Sequence, residues 1–258
     1  MRMIDLSIAI ETGVPSDPPK LLPQIEYLNH TQSIEAYLST FPGLREDQLP
    51  NGEAWAGEWL HLSTHSGTHM DAPWHFASTM DHGKPARTID QLPLEWCLQK
   101  GVKLDFRHLP DGYVVQPEDI DVELARVGAT IEPLTIVLVN TSAGATYGLP
   151  EYRDRGCGMG RAATLHLLEQ GVKIVGTDAW SWDVPFRFMR ERFAREGDPS
   201  IVWEGHKAGL EGEYYQMEKL HNLEAIGSHG FLVACFPIKI KAASAGWTRC
   251  LAILDPLA

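Results

Sequence analysis

The chain is organised around the stretch His65-Ser66-Gly67-Thr68-His69-Met70-Asp71-Ala72-Pro73-Trp74-His75. It holds three imidazoles and one carboxylate within eleven residues, and both groups are usual protein ligands of Zn²⁺ and Mn²⁺. An extended strand would hold His65 and His69 about 13 Å apart, which is too far for one ion. Gly67 weakens a helix and Pro73 breaks one. We therefore expect a strand over residues 59–64 that ends and folds over at Gly67.

The spacing of these residues resembles a family signature. The pattern His65-x-Gly67-Thr68-His69-x-Asp71-x-Pro73-x-His75 is similar to the motif of the cyclase-like metal-dependent hydrolases, which include bacterial kynurenine formamidases and isatin hydrolases. It is not the zincin pattern, in which Glu follows the first His on a helix. The resemblance implies that His65, His69 and Asp71 bind the metal and that His75 transfers protons.

A second group of chemically active residues lies about 140 residues downstream. His206 and Glu218 are twelve residues apart, and the segment from Glu218 to Leu223 resembles the family segment Glu-Asn-Leu-x-Asn-Leu. In dinuclear members, His and Glu at this spacing bind a second ion, and the motif Asp bridges the two ions. The resemblance thus implies a site for one or two Zn²⁺ or Mn²⁺ ions that also uses His206 and Glu218. Lys219 stands where the family has Asn, a departure that affects local hydrogen bonding.

Two tryptophans precede the motif and have two interpretations. Trp55 and Trp59 could form the wall of a pocket for an aromatic substrate. They could equally be buried core residues, since tryptophan is highly buried on average. The sequence leaves both interpretations open, and we carry substrate binding by these two residues forward as a hypothesis.

Composition limits the class of protein. The chain has 258 residues, 44% hydrophobic and 22% charged, which are values typical of a globular protein with an ample core. The formal net charge is −12, and without a basic patch we expect no nucleic-acid partner. The four cysteines are scattered, as in a reduced compartment. No signal-peptide core or membrane span is evident, so we expect a cytoplasmic protein without a membrane partner.

Hydrophobic patterning predicts an α/β fold. Residues 135–140 form a continuous apolar run typical of a central strand buried on both faces. A helix over 162–170 and a strand over 172–178 then complete a strand–helix–strand crossover. Residues 117–127 form a helix with Pro at the first turn and Gly128 as its stop. We expect a mixed sheet partly curled toward a barrel, with outer helices, in one domain over residues 1–258. The resemblance implies a swivelling β/β/α architecture and a homodimer or homotetramer.

These features predict a hydrolase that acts on a small molecule. No Gly-x-Ser-x-Gly elbow occurs in the chain, so metal-activated water is favoured over a serine nucleophile. The expected substrate is a small amide, imide, lactone or aryl formamide. One alternative is kynurenine formamidase proper, although residues 180–205 look like an insertion that compact formamidases lack. Another is a non-catalytic, metal-dependent binding protein, which would need no acid–base residue at His75.

Overall fold

The computed structural model describes residues 1–255. Its strands are β1 (Arg2–Asp5), β2 (Gln24–Leu28), β3 (Gly57–His61), β4 (His69–Asp71), β5 (Thr79–Met80), β6 (Lys84–Pro85), β7 (Leu98–Asp105), β8 (Val114–Val115), β9 (Ile136–Asn140), β10 (Gly158–Met159), β11 (Ile174–Thr177), β12 (Tyr215–Glu218), β13 (Phe231–Ala234), β14 (Ala245–Trp247) and β15 (Leu251–Leu254). Its α-helices are α1 (Ile34–Thr40), α2 (Pro73–Phe76), α3 (Pro117–Val127), α4 (Arg161–Glu169), α5 (Phe186–Glu196) and α6 (Glu204–Lys207).

One large mixed sheet dominates the fold. Nine strands lie in the order β1-β15-β13-β7-β9-β11-β12-β4-β14. The strands β7, β9, β11 and β12 are parallel neighbours, whereas the flanking pairs are antiparallel. The sheet curls into a half-barrel with helices packed against it. The predicted α/β class is therefore confirmed.

The central strand β9 is buried on both faces, as its apolar run predicted. Ile136 and Leu138 belong to one core cluster, together with Met70 of β4. Val137 and Val139 belong to a second cluster that α3 and α4 cover. Successive side chains of a strand point to opposite faces, so the unbroken apolar run from Ile136 to Val139 suits a strand between two cores.

The helix predicted over residues 117–127 is present as α3. Gln116 and Asp119 form a capping box at its start, and Gly128 ends it in the left-handed conformation at φ 65°. This conformation carries little strain in glycine because glycine has no Cβ atom. The local signals at both ends therefore determined the bounds of this helix.

β3, β12 and β14 are among the strands that differ from expectation. β3 ends at His61 and pairs with β2 in a separate hairpin, outside the large sheet. β12 and β14 were not predicted. β12 and β14 have only four and three residues, and β4 pairs with both. Strands this short show little hydrophobic periodicity in the sequence, so they form because of the strands with which they pair.

The prediction of a single domain over residues 1–258 remains a proposal, and residues 256–258 lie outside the part that the structure describes. None of the helices within residues 1–255 has the length and apolar character needed to cross a membrane.

Candidate metal centre

The turn before β4 brings two imidazoles together. Gly67 has φ +65°, and a Cβ atom there would lie 2.7 Å from Cγ1 of Ile10. Both the conformation and the close approach require glycine. The predicted fold-over at Gly67 is present, and it places the rings of His65 and His69 5.0 Å apart between centroids. In β4, His69 and Asp71 are two residues apart and share one face of the strand.

Strand β12 brings Glu218 to this face. It pairs antiparallel with β4, and Glu218 lies opposite His69. Nε2 of His69 lies 3.2 Å from Oδ1 of Asp71 and 3.6 Å from Oε2 of Glu218. Nδ1 of His65 lies 2.8 Å from the same Asp71 oxygen. Four potential ligand atoms thus converge on one small volume.

The donor set fits a divalent cation. Within residues 1–255, Nε2 of His69 and Oδ1 of Asp71 are buried and have no hydrogen-bond partner. Buried polar atoms are normally satisfied, and a cation between these two would satisfy both. The other ring nitrogens are engaged: Nδ1 of His69 lies 2.9 Å from the carbonyl oxygen of Gly67, and Nε2 of His65 lies 3.0 Å from Oγ of Ser244. Such outer contacts orient metal-ligating histidines.

The two buried carboxyls differ in their pKa. Burial opposes ionisation of Asp71, but the adjacent His69 and His65 imidazoles hold its pKa well below the ordinary range. Burial and the charge of Asp71 raise the pKa of Glu218. Two carboxyls that share a site repel when both are ionised, and a divalent cation relieves that repulsion.

His206 lies at the edge of the cluster, on α6. Its Nδ1 bonds the carboxylate of Asp183, and its Nε2 lies 3.6 Å from Oε1 of Glu218. Burial lowers the pKa of His206, but Asp183, Glu218 and Asp71 together more than offset this effect, so that the pKa is raised. Two groups of residues have potential ligand atoms within 4.8 Å of one another. One group is His65, Asp71 and His75, and the other is His69, Asp71 and Glu218. Metal binding by His206 stays a prediction.

His75 faces the same pocket from α2, in which Pro73 takes the first helical position. Its ring centroid lies 4.1 Å from that of His65 and 5.4 Å from that of Trp203. Burial lowers the pKa of His75 to about 4, partly offset by Asp71. His75 is therefore neutral at neutral pH and close to the ligand cluster. Its role in proton transfer stays a prediction.

Aromatic side chains that the sequence analysis did not single out form a wall of the pocket. The cavity has a volume of about 210 Å³, and Trp180, Phe186 and Trp203 line it. Trp203 stacks on His206 with ring centroids 4.6 Å apart and an interplanar angle of 9°. All three belong to residues 180–205, and their aromatic content was the available signal. Trp55 and Trp59 do not line this cavity and are 42% and 57% exposed, so substrate binding by them stays a prediction.

A buried ion pair closes one side of the pocket. Nζ of Lys219 bonds the carboxylate of Asp17 and the carbonyl oxygen of His65. Nε1 of Trp180 donates to the same carboxylate at 2.9 Å. The sequence analysis missed Asp17, because only the fold brings the N-terminal segment next to Lys219.

Comparison with known proteins gives a match to one family model. The model described as "Putative cyclase" matches residues 4–184, which include the whole stretch from His65 to His75. No curated protein matches the chain.

Solved structures resemble the whole fold. An isatin hydrolase bound to the product analogue thioisatinate is 18% identical, with a TM-score of 0.74, and the match covers 98% of this chain and 92% of that one. Isatin hydrolase A from Labrenzia aggregata, bound to benzyl benzoate, is 21% identical, with a TM-score of 0.70 and coverage of 99% and 94%. A potential metal-dependent hydrolase with cyclase activity is 19% identical, with a TM-score of 0.66 and coverage of 99% of both chains. At these identities the likeness shows the fold.

Proposed function

The chain belongs to the cyclase family of metal-dependent hydrolases, and from this premise we propose that it hydrolyses a C–N or C–O bond of a small amide, imide, lactone or aryl formamide. The observation that carries the proposal is the convergence of His65, His69, Asp71 and Glu218 beside a neutral His75. Ligand atoms and an acid–base group are what a metal-dependent hydrolase needs in one pocket.

Each part of this pocket has a distinct role. His65, His69, Asp71 and Glu218 would hold a divalent ion, which we propose to be Zn²⁺ or Mn²⁺. When bound, the ion lowers the pKa of a coordinated water from about 15.7 toward 7 and stabilises developing negative charge. His75 is neutral at pH 7 because burial lowers its pKa to about 4. An imidazole nitrogen of His75 can therefore accept a proton from the attacking water and return it to the leaving nitrogen or oxygen.

The pocket favours a small, flat substrate. A cavity of about 210 Å³ is below the usual range of roughly 300–1,000 Å³ for ligand pockets. Trp180, Phe186 and Trp203 present aromatic surface to it, and such surface packs well against planar rings. Isatin hydrolases share the fold, which makes a cyclic amide the first substrate class to test.

A substrate panel tests this function. Metal-loaded protein would be assayed against isatin, N-formylkynurenine, cyclic imides and lactones. We expect turnover of at least one cyclic substrate, and Asp71→Asn should abolish it, while the exposed Asp154→Asn should leave it unchanged. Preference for N-formylkynurenine would favour kynurenine formamidase proper. Tight binding without turnover of any substrate would favour the non-catalytic binding protein.

We further propose that the chain forms a homodimer or homotetramer through the hairpin of β2 and β3. Tyr27, Trp59 and Leu60 lie on this hairpin and are 64%, 57% and 55% exposed. Large aromatic and apolar side chains exposed to this degree are typical of protein interfaces. A second copy of the chain would cover them. Beyond that copy, we propose a small-molecule substrate as the binding partner.

A further inference from the structure

Gln216 lies at the centre of the buried polar cluster. It is on β12, two residues before Glu218, so both side chains leave the same face of the strand. The residue is fully buried. Its Nε2 lies 2.8 Å from Nε2 of His206, 3.0 Å from Oε1 of Glu218 and 3.2 Å from Oδ2 of Asp71.

The neighbours of Gln216 determine which end of its amide faces the cluster. Oε1 of Gln216 lies 3.1 Å from the hydroxyl oxygen of Tyr214, which also lies 2.8 Å from the carbonyl oxygen of Gly205. The Asp183 carboxylate accepts the backbone N–H groups of Gly205 and His206 and bonds Nδ1 of His206. Oδ2 of Asp71 and Oε1 of Glu218 are carboxyl oxygens, which accept hydrogen bonds, and the nearest atom of Gln216 to both is Nε2. The amide NH₂ of Gln216 therefore faces two carboxyl oxygens, with Nε2 of His206 beside them.

The carboxyl groups of Asp71 and Glu218 each have one oxygen directed to His69 and the other directed to Gln216. Oδ1 of Asp71 and Oε2 of Glu218 face Nε2 of His69. Oδ2 of Asp71 and Oε1 of Glu218 face the amide of Gln216. Within residues 1–255, His69 Nε2 and Asp71 Oδ1 have no hydrogen-bond partner. One side thus needs a cation, whereas the other side already has a donor.

We propose that the amide of Gln216 takes the place of a second cation, so that the chain binds one divalent ion. The NH₂ group of Gln216 presents partial positive charge to the carboxyl oxygens of Asp71 and Glu218. A second ion would need the same oxygens. A second ion would have to displace that group from a fully buried position. The inference rests on the proposed metal site and is independent of the substrate.

Metal stoichiometry tests this inference directly. Protein freed of metal would be equilibrated with excess Mn²⁺, and bound metal would be counted after dialysis, with electron paramagnetic resonance to detect coupled ions. We expect one ion per chain for the natural sequence. Gln216→Glu removes the donor and adds a carboxylate, so we expect two ions. Gln24→Glu, an identical change at an exposed position, should keep one ion.

Two results would overturn the proposal: two ions in the natural sequence, or one ion in folded Gln216→Glu. If Gln216→Glu does not fold, Gln216→Ala replaces it, and the same count of two ions is expected because the two carboxyl oxygens then have no donor. Hydrolysis is measured separately. An active chain with two ions refutes this inference but not the function, whereas a chain with one ion and no turnover of any substrate refutes only the function.

Discussion

Nζ of Lys219 donates a hydrogen bond of 2.9 Å to the backbone carbonyl oxygen of His65. This bond ties the end of β12 to the turn that presents the first imidazole. The same ammonium group is paired with the buried carboxylate of Asp17, so its charge is compensated. Lys219 therefore holds the His65 turn in position from outside the ligand cluster, at the position where the family has Asn.

Replacing Lys219 with Met should weaken metal binding. The substitution removes the donor to the His65 carbonyl, and loss of outer contacts of this kind typically reduces metal affinity by about 10–100-fold. It also leaves the buried carboxylate of Asp17 without its cationic partner, which should destabilise the fold by about 3–5 kcal/mol. Isothermal titration calorimetry would measure the affinity, with exposed Lys241→Met as the control. Unchanged affinity in folded Lys219→Met would refute the positioning role.

His69→Ala should lose stoichiometric metal binding. Nε2 of His69 faces both Asp71 and Glu218, so its removal takes one ligand from the centre of the cluster. Metal analysis after dialysis would show the loss. The exposed His108→Ala is the matched control and should retain its metal. A His69→Ala variant with full metal content and full activity would contradict the proposed ligand set.

His75→Ala should lose activity and keep its metal. Removal of a general acid–base group typically reduces the rate by about 10²–10⁴-fold, and His75 is not one of the four ligands that we propose. The reduction should be smaller for an activated aryl ester, because its leaving group needs no proton. Metal content and turnover would be measured on the same preparation. Because His75 also lies in a group with His65 and Asp71, parallel loss of metal and activity would identify it as a ligand.

Asp178→Asn should change how stability depends on pH. Burial raises the pKa of Asp178 to about 8, although Thr141 donates to its carboxyl group. Between about pH 4 and 8, Asp178 is ionised in the unfolded chain and protonated in the native chain. Its contribution to the free energy of unfolding therefore falls by up to about 1.4 kcal/mol per pH unit as the pH rises. The side chain of Asn does not titrate, so the variant lacks this pH-dependent contribution.

Urea unfolding at pH 5 and pH 8 would measure the effect of Asp178→Asn. We expect the variant to gain stability relative to the natural sequence at the higher pH, while exposed Asp154→Asn should show no such trend. An equal difference at both pH values would show that Asp178 does not take up a proton in this range.

Trp59→Ser should reduce self-association. Trp59 is 57% exposed on the hairpin of β2 and β3, so the substitution removes apolar surface from the proposed interface with little effect on packing within the chain. Light scattering after size-exclusion chromatography would show a shift toward the monomer mass. Val122→Ser, at a 69% exposed position on α3, is the control. A natural chain that is already monomeric would refute the proposed interface.

Local features of the sequence determined the helix α3, the strand β9 and the turn at Gly67. Each depends on residues close in the chain: a Pro start with a Gly stop, a continuous apolar run, and a glycine between two histidines. The eleven-residue motif also identified His65, His69, Asp71 and His75, because their spacing is itself the signal.

Only the tertiary structure decided how distant residues join that motif. Glu218 reaches His69 because β12 lies between β11 and β4, in the register that places Glu218 opposite His69. The central position of Gln216 follows from the same register, since residues two apart on a strand share a face. Strand pairing between segments about 150 residues apart depends on the packing of the whole sheet, and a short strand such as β12 has too little periodicity to reveal its partners.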